Sequence, residues 1–198
     1  MQKGIAFFDF DGTITRKDTM LELAKYKAGK FNYYTGMLRL SPFLMAMKAG
    51  LLSAQRAKEL FLKTFFGQMP IADFDQLCQS FCRQQLPQLL RPDALRCIAK
   101  HQAEGNTIVV VTASAQNWVA PWCTQNNLML IATRLQEKNG CITGKLAGYN
   151  CNGKEKVGRI NKQFTLADFN PIYAYGDSSG DKPMLALAQH SHFKFFVQ

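Results

Sequence analysis

The chain has 198 residues, of which 47% are hydrophobic and 19% charged, a balance that predicts one globular domain with room for a modest insertion. Its formal net charge of +10 indicates an anionic substrate or surface, but the basic residues lie among apolar ones rather than in runs. The sequence also contains no zinc-finger or RNA-binding signature, so we expect no nucleic-acid partner.

The N-terminal residues and the cysteines bear on location. Asp9 falls where a secretion signal would need an apolar stretch, and the longest apolar region, residues 31–52, contains Arg39, Pro42 and Lys48. The six cysteines follow no metal-ligand spacing and are expected to be reduced thiols. The sequence therefore predicts a cytoplasmic protein without a membrane span, and nothing in it indicates an oligomeric state.

The first predicted element is a buried parallel strand at residues 5–8, which leads directly into two aspartates. Asp9 and Asp11 are two residues apart and leave the same face of an extended chain, and Gly12 allows the backbone to fold back over the space between them. This arrangement suits a cation. Taken alone, it also fits a strand end with solvated carboxylates.

Residues 16–91 predict a helical insertion. Asp18 or Thr19 can cap its first helix, and apolar residues then recur every three or four positions without a strand signal. Breaks are expected at Ser41-Pro42, Gly67 and Met69-Pro70, which gives about four helices. We therefore predict a helical cap over residues 16–91 and a catalytic core formed by residues 1–15 and 92–198.

Helices and strands alternate in the remainder of the chain. The predicted elements are helix 93–104, strand 107–111, helix 117–127, strand 128–133, a hairpin of 134–136 and 141–143 around Asn139-Gly140, helix 154–164, strand 172–175, helix 182–188 and strand 193–197. The predicted fold is α/β, a doubly wound and mainly parallel Rossmann-like sheet with a helical cap inserted after the first strand. In such a sheet, ligands bind at the carboxyl ends of the strands, where the polar residues of the predicted loops should converge.

Four motifs in this chain resemble those of the haloacid dehalogenase superfamily, and in particular its phosphoserine-phosphatase-like branch, subfamily IB. The motifs are Asp9-Phe10-Asp11-Gly12-Thr13, Val111-Thr112-Ala113-Ser114, Gly153-Lys154-Glu155-Lys156 and Gly176-Asp177-Ser178-Ser179-Gly180-Asp181. Each is weak alone, but four in the right order and strand context are specific. The resemblance covers nearly the whole core and leaves the insertion poorly covered.

The resemblance implies a phosphatase that forms an aspartyl phosphate. Asp9 would attack phosphorus, and Asp11 would protonate the leaving oxygen and then activate water. Mg²⁺ would be held by Asp9, the backbone carbonyl of Asp11 and Asp177, while Asp181 would orient Lys156 or a water on the metal.

The same resemblance assigns phosphate binding to the second and third motifs. Thr112 and the backbone N–H of Ala113 would bind phosphoryl oxygens, and Lys156 would offset the negative charge of the nucleophile and the transferring group. Lys154 is a close alternative to Lys156, and Thr112 could simply end a strand.

A structural role is an alternative for Asp181 and is the expected one for Ser114 and the histidines. Asp181 could cap the helix that starts before Pro183, and Ser114 is expected to cap the helix after the second motif rather than to touch substrate. The histidines are predicted to lie on helix or loop surfaces without a role; they are His101, His190 and His192.

Two alternative functions remain. A phosphoryl-accepting receiver domain also uses aspartates, a threonine and a lysine on such a sheet, but this chain is longer, has the insertion and carries a second aspartate pair.

The other alternative concerns residues 31–52, whose apolar side chains are flanked by the basic residues Lys25, Lys27, Lys30, Arg39 and Lys48. This pattern motivates the hypothesis of a phospholipid phosphate substrate, such as phosphatidylglycerophosphate, reached by peripheral contact with the anionic inner face of the membrane. The plainer interpretation, which we favour, is that these side chains form the core of the cap of an enzyme with a small phosphorylated substrate.

Overall fold

The computed structural model describes residues 3–197, in which five parallel strands form one sheet with the order β3-β2-β1-β6-β7. Its strands are β1 (Lys3–Phe8), β2 (Thr107–Ala115), β3 (Met129–Thr133), β6 (Phe169–Gly176) and β7 (His190–Phe193). A separate antiparallel hairpin contains β4 (Leu135–Lys138) and β5 (Cys141–Leu146). Its Asn139-Gly140 turn has the positive φ values, 52° and 72°, that this dipeptide favours.

Eight α-helices accompany the strands within the described residues. They are α1 (Thr19–Lys48), α2 (Ala54–Phe66), α3 (Ile71–Gln84), α4 (Leu86–Leu89), α5 (Pro92–Ala103), α6 (Gln116–Gln125), α7 (Lys154–Gln163) and α8 (Lys182–Leu185). The first four lie in the insertion that follows β1, as predicted. The insertion begins and ends at neighbouring points, because the Arg16 N–H donates to Leu89 O and the Arg91 N–H donates to Ile14 O. This pairing supports the division that we propose between a cap, residues 16–91, and the core.

Strand β1 is the centre of the sheet because its side chains are apolar on both faces. Ile5 and Phe8 are fully buried, and Phe8 lies opposite Val110 of β2 on one side and Tyr175 of β6 on the other. The chain builds outward through β2 and β3, then returns to the far side of β1 for β6 and β7. The strand order therefore reverses beside β1, which is where open α/β sheets bind their ligands.

One hydrophobic cluster joins the cap to the sheet. It includes Phe8 of β1, Trp118 of α6 and three phenylalanines of the cap, Phe61, Phe66 and Phe74. A second cluster covers the opposite face of the sheet. Since the first cluster is continuous, burial of apolar surface holds much of the cap against the core.

Helix α1 differs from its prediction, because it continues through Ser41-Pro42 and is interrupted instead at Gly29, with φ 71° and ψ 164°. Pro42 has no N–H to donate to the carbonyl of Leu38, but the Ser41 hydroxyl donates to that oxygen at 2.7 Å. The neighbouring side chain thus satisfies the acceptor that a proline leaves open. No helix within residues 3–197 combines the length and the apolarity needed to cross a bilayer.

The predicted positions of the last strand and of the three histidines are wrong. The last strand is His190–Phe193 rather than residues 193–197, and it contains His190 and His192, so neither lies on a helix or loop. His101 is buried rather than on the surface, and its Nε2 lies 3.0 Å from the Tyr175 hydroxyl. It follows Ala94 and Ile98 of α5 at helical spacing, so its helix face is the apolar one.

Candidate active site

Lys156 lies at the centre of the polar residues that converge beyond the carboxyl end of β1. Its ammonium donates to Asp9 Oδ1 at 2.5 Å, to Asp181 Oδ1 at 2.6 Å and to the carbonyl of Val111 at 2.7 Å. All three charged side chains are buried, so the three bonds satisfy a cation that would otherwise be costly to bury. Lys154, the alternative suggested by the sequence, is exposed.

The charges of this group are unevenly balanced. Burial alone would lower the pKa of Lys156, but Asp9 and Asp181 outweigh it and raise that pKa. Burial alone would raise the pKa of Asp181, and Lys156 outweighs it and holds this pKa below its ordinary value. Burial raises the pKa of Asp9 to about 7, because Lys156 opposes it only partly and Asp181 adds a second negative charge. One ammonium is thus shared by two buried carboxylates, and a second cation would stabilise the ionised form of Asp9.

Asp177 completes a group of three carboxylates. Asp9, Asp177 and Asp181 each offer an oxygen atom, and these atoms lie within 4.8 Å of one another. The Thr13 hydroxyl donates to Asp177 Oδ1 at 3.3 Å, and a Cβ at residue 12 would overlap the Asp177 carboxylate, which explains the glycine there. An all-oxygen set with excess negative charge suits a hard divalent cation, so these residues fit Mg²⁺.

The second oxygen of Asp181 accepts hydrogen bonds from the loop that carries Asp177. The N–H groups of Asp177 and Ser178 and the Ser178 hydroxyl all donate to Asp181 Oδ2. Asp181 is the N-cap residue of α8, but its side chain makes no hydrogen bond to that helix and instead forms a capping box with Ser178 around the short turn Ser179–Asp181. Instead, this side chain connects the loop to Lys156.

The carboxylate of Asp11 faces the start of α1 and is not part of the group formed by the other three. Asp11 Oδ1 accepts from the Thr19 N–H at 2.6 Å and the Thr19 hydroxyl at 2.7 Å, while Oδ2 accepts from the Ser114 hydroxyl at 2.5 Å. The Trp118 indole N–H donates to Thr19 Oγ1 at 3.1 Å. The predicted capping role of Ser114 is wrong, because α6 begins at Gln116 without a side-chain cap and Ser114 binds Asp11 instead.

Thr112 and Ala113 lie where β2 departs from regular pairing. The register of β2 with β3 shifts between Thr112 and Ala115, so the two intervening residues bulge at the strand end. Thr112 Oγ1 accepts from the Ser114 N–H at 2.9 Å, which leaves the Thr112 hydroxyl hydrogen available to a ligand.

A cavity of about 200 Å³ connects most of these groups, although Asp177 is not part of its lining. Its lining includes Asp9, Asp11, Thr112, Ala113, Ser114, Lys156 and Asp181. A wider cleft of about 450 Å³ between α3, α6 and β4 is lined by none of these residues. We therefore place the candidate active site in the smaller cavity, where the chemical groups converge.

The cap contributes two residues to this site that sequence reasoning did not assign to it, Lys58, which lines the cavity, and Thr19, which binds Asp11. Lys58 of α2 donates to the carbonyl of Ala113 at 2.6 Å and to Asn150 Oδ1 at 3.0 Å. Thr19 was recognised only as a candidate helix cap, a position that Asp18 takes by accepting from the Leu21 N–H. The sequence carried a signal for Thr19, its place at a helix start, but none for Lys58 beyond its charge.

Known proteins resemble this chain in sequence and in fold. The family model for haloacid dehalogenase-like hydrolases matches residues 6–186. Protein CicA of Caulobacter vibrioides is 37% identical over 191 residues, covering 96% of this chain and 85% of the relative, and a probable phosphatase of Mycobacterium tuberculosis is 27% identical over 194 residues, covering 94% and 67%. A phosphoserine phosphatase solved as an analogue of its phospho-aspartyl intermediate has the same fold, with a TM-score of 0.68 at 20% identity over 95% of this chain and 84% of that one. Because the family model spans most of the sequence, the chain belongs to the haloacid dehalogenase-like hydrolases.

Proposed function

We propose that this chain, a phosphatase of its family, hydrolyses a phosphate monoester through an aspartyl phosphate on Asp9. The observation that carries the proposal is the buried Asp9–Lys156 pair, with 2.5 Å between Oδ1 and Nζ, beside a cavity that also contains Thr112. Lys156 binds Oδ1, which leaves Oδ2 of Asp9 to attack phosphorus. The ammonium offsets negative charge on the nucleophile as the new bond forms.

Asp11 performs the proton transfers of both steps. In its protonated form it donates the proton to the leaving oxygen, and as a carboxylate it then takes a proton from the water that attacks the aspartyl phosphate. Thr19 and Ser114 donate to the two oxygens of Asp11 and fix its orientation. Asp9 is regenerated when the phosphate leaves.

Thr112 and Ala113 bind the phosphoryl oxygens. The Thr112 hydroxyl donates its hydrogen to one oxygen, and the backbone N–H of Ala113 donates to another. Thr112 is the last residue of β2 in register before the bulge, Ala113 lies on the bulge, and both line the same cavity as Asp9. Donors that are already in place stabilise developing charge without reorganising.

Mg²⁺ is the proposed cofactor. Asp9, Asp177 and the backbone carbonyl of Asp11 would hold it, and Asp181 lies close enough to add a carboxylate oxygen. The ion would supply positive charge that reduces the repulsion between the Asp9 carboxylate and the phosphate dianion. The grouped carboxylates and the raised pKa of Asp9 support this assignment.

Turnover of p-nitrophenyl phosphate by the purified protein tests the proposal. We expect continuous release of phosphate in Mg²⁺, no release in excess EDTA, and loss of turnover in Asp9→Asn, which keeps the volume of the side chain and removes the attacking charge. Retained turnover in that variant, after mass spectrometry excludes deamidation, would mean another nucleophile. Uptake of a single phosphoryl group without turnover would favour a receiver-like switch.

A second candidate function is hydrolysis of a phosphate ester at a membrane surface, and the exposed side chains of the cap favour it. Phe31, Leu38, Met45 and Leu51 are 80%, 74%, 71% and 83% exposed, whereas the cap core takes up only part of this region. Between Glu22 and Glu59 the chain has seven basic and no acidic residues. Exposed apolar side chains on a segment of one charge sign are suited to an anionic bilayer, where each basic residue contributes about 1 kcal/mol. The substrate in this case is a phospholipid phosphomonoester, whereas a small soluble ester remains the first candidate.

Sedimentation with vesicles separates the two candidates. An amphiphilic substrate predicts binding to vesicles that contain anionic lipid, weaker binding at higher salt, and loss of binding in the double variant Leu38→Ser, Leu51→Ser. The matched control is Leu95→Ser, which changes a partly exposed leucine of α5 in the core. No binding to anionic vesicles, together with faster turnover of soluble esters than of a lipid phosphate, would leave the soluble ester as the substrate.

A further inference from the structure

Lys58 connects the cap to the turn that we assign to phosphate binding. It belongs to α2, and its ammonium donates to the carbonyl of Ala113 at 2.6 Å. That carbonyl is available because the bulge of β2 removes Ala113 from regular pairing with β3. Asn150 Oδ1, at 3.0 Å, is the second acceptor and also accepts from the Thr133 hydroxyl. The ammonium thus holds the core at two points from the cap side.

A continuous set of bonds leads from Lys58 to the acid–base residue. The carbonyl of Ala113 shares a planar peptide with the N–H of Ser114, so fixing one fixes the other. This N–H donates to Thr112 Oγ1 at 2.9 Å, and the Ser114 hydroxyl donates to Asp11 Oδ2 at 2.5 Å. Both the phosphate-binding hydroxyl and the carboxylate of Asp11 therefore depend on the orientation of one peptide.

The position of Lys58 depends in turn on how α2 lies against the core. The backbone of Lys63 contacts Gly144 of β5 so closely that a Cβ at residue 144 would overlap it. The Leu146 N–H donates to Glu59 Oε1 at 3.3 Å. These contacts, at residues 144 and 146 of β5, hold α2 against the β4–β5 hairpin. Lys58 reaches Ala113 because the helix lies in this place.

We propose that Lys58 is a positioning residue, which orients the Ala113–Ser114 peptide when α2 is docked and so sets Thr112 and Asp11 for proton transfer. The proposal rests on the function proposed above. A lysine at the edge of the cavity could instead bind an anionic part of the substrate directly. The two roles differ in which kinetic constant they change and in which substrates they affect.

A pair of substrates with different leaving groups distinguishes the roles. p-Nitrophenolate leaves readily without a proton, whereas phenol needs one, so misorientation of Asp11 slows the first step with phenyl phosphate far more. The second step needs Asp11 as a base with either substrate. In Lys58→Met we expect kcat to fall about 10²-fold for both substrates, because general acid–base catalysis contributes on this order. We also expect kcat/KM to fall roughly tenfold more for phenyl phosphate than for p-nitrophenyl phosphate, and a burst of p-nitrophenol to precede slow turnover.

Two further variants locate the effect. Lys63→Met removes the same charge from an exposed position of the same helix, and we expect wild-type kinetics from it. Ser114→Ala breaks the path at its last link, so combining it with Lys58→Met should cost little more than the worse single change. Melting followed by circular dichroism checks folding, and Lys58→Gln replaces Lys58→Met if the latter does not fold.

The ¹⁵N-indole resonance of Trp118 gives a readout that needs no activity. Its N–H donates to Thr19 Oγ1, which contacts both Asp11 and Ser114. We expect this resonance to shift in Lys58→Met and to stay in place in Lys63→Met. An unchanged resonance, additive losses in the double variant, or a loss confined to KM would overturn the positioning role. If the wild-type protein shows no turnover, the proposed function fails, and the Trp118 resonance still decides whether Lys58 orients this network.

Discussion

Lys156 Nζ lies 2.5 Å from Asp9 Oδ1, although 147 residues separate the two in the chain. The same ammonium binds Asp181, and Lys156 and Asp181 are each only 1% exposed. A buried cation between two buried carboxylates contributes to folding as well as to chemistry, because neither carboxylate has another cation within bonding distance among residues 3–197.

Replacing this cation should therefore reduce both stability and turnover. In Lys156→Met we expect the free energy of unfolding to fall by about 3–5 kcal/mol, the usual cost of leaving one member of a buried ion pair without its partner. Urea denaturation measures this, and kcat for p-nitrophenyl phosphate should fall at least about 10²-fold. The matched control is Lys154→Met, two residues away and exposed, which should leave both quantities unchanged. Loss of stability and turnover in Lys154→Met, with neither lost in Lys156→Met, would mean that Lys154 is the active-site lysine.

Asp177 should determine the affinity for the metal. Asp177→Asn removes one negative charge from the group of three carboxylates and leaves its shape, so the Mg²⁺ concentration for half-maximal activity should rise roughly tenfold or more. Calorimetric titration with Mg²⁺ measures the affinity without turnover. Asp168→Asn, on an exposed turn before β6, is the control for loss of an acidic charge. Equal Mg²⁺ affinity in the two variants would place the metal elsewhere.

His101 predicts a pH dependence of stability. The Asn106 amide donates to Nδ1, so Nε2 carries the proton and faces the Tyr175 hydroxyl. Burial lowers the pKa of His101, an effect that Glu104 opposes and that Lys100 and His192 reinforce. The folded protein thus favours the neutral ring, and this contribution is present above the unfolded pKa of about 6.5 and is lost as the pH falls below it.

Substitution of the ring isolates that contribution. We expect wild-type protein to lose more of its free energy of unfolding between pH 7.5 and pH 5.5 than His101→Gln does, in urea titrations at both values. Carboxylates also titrate toward acid pH, but they are the same in both proteins, so the difference between the two slopes reports on residue 101. Parallel slopes would show that the ring titrates normally in the folded state.

The strands of the sheet and the order of the motifs were predictable because each depends on a short stretch of neighbouring residues. The buried run of β1, the branched residues of β2 and the Asn139-Gly140 turn each determine their own conformation, and the structure confirms them. The break predicted at Pro42 failed because a single hydroxyl, that of Ser41, satisfies the carbonyl that proline leaves open. His101 was misplaced although its helical spacing from Ile98 indicated the buried face.

Contacts between distant segments were much harder to predict. Nothing near Lys58 in the sequence indicates that α2 brings it to Ala113, since that depends on the packing of α2 against β5. The same holds for Ser114, whose position before α6 suggested a helix cap. In the structure its hydroxyl instead donates to Asp11 Oδ2 at 2.5 Å, because the turn of the first motif lies beside it. Sequence motifs indicated which residues meet at the strand ends, whereas the donors around them depend on tertiary packing.

Covalent trapping on Asp9 tests the account most directly. The protein is mixed with p-nitrophenyl phosphate and Mg²⁺, quenched in acid during turnover and reduced with borohydride, which converts an aspartyl phosphate to homoserine, and its peptides are sequenced by mass spectrometry. We predict homoserine at position 9 and at no other aspartate, with none in samples that lacked substrate. Homoserine at Asp11, Asp177 or Asp181, or unmodified Asp9 while phosphate is released at the normal rate, would contradict the assignment of Asp9 as the nucleophile.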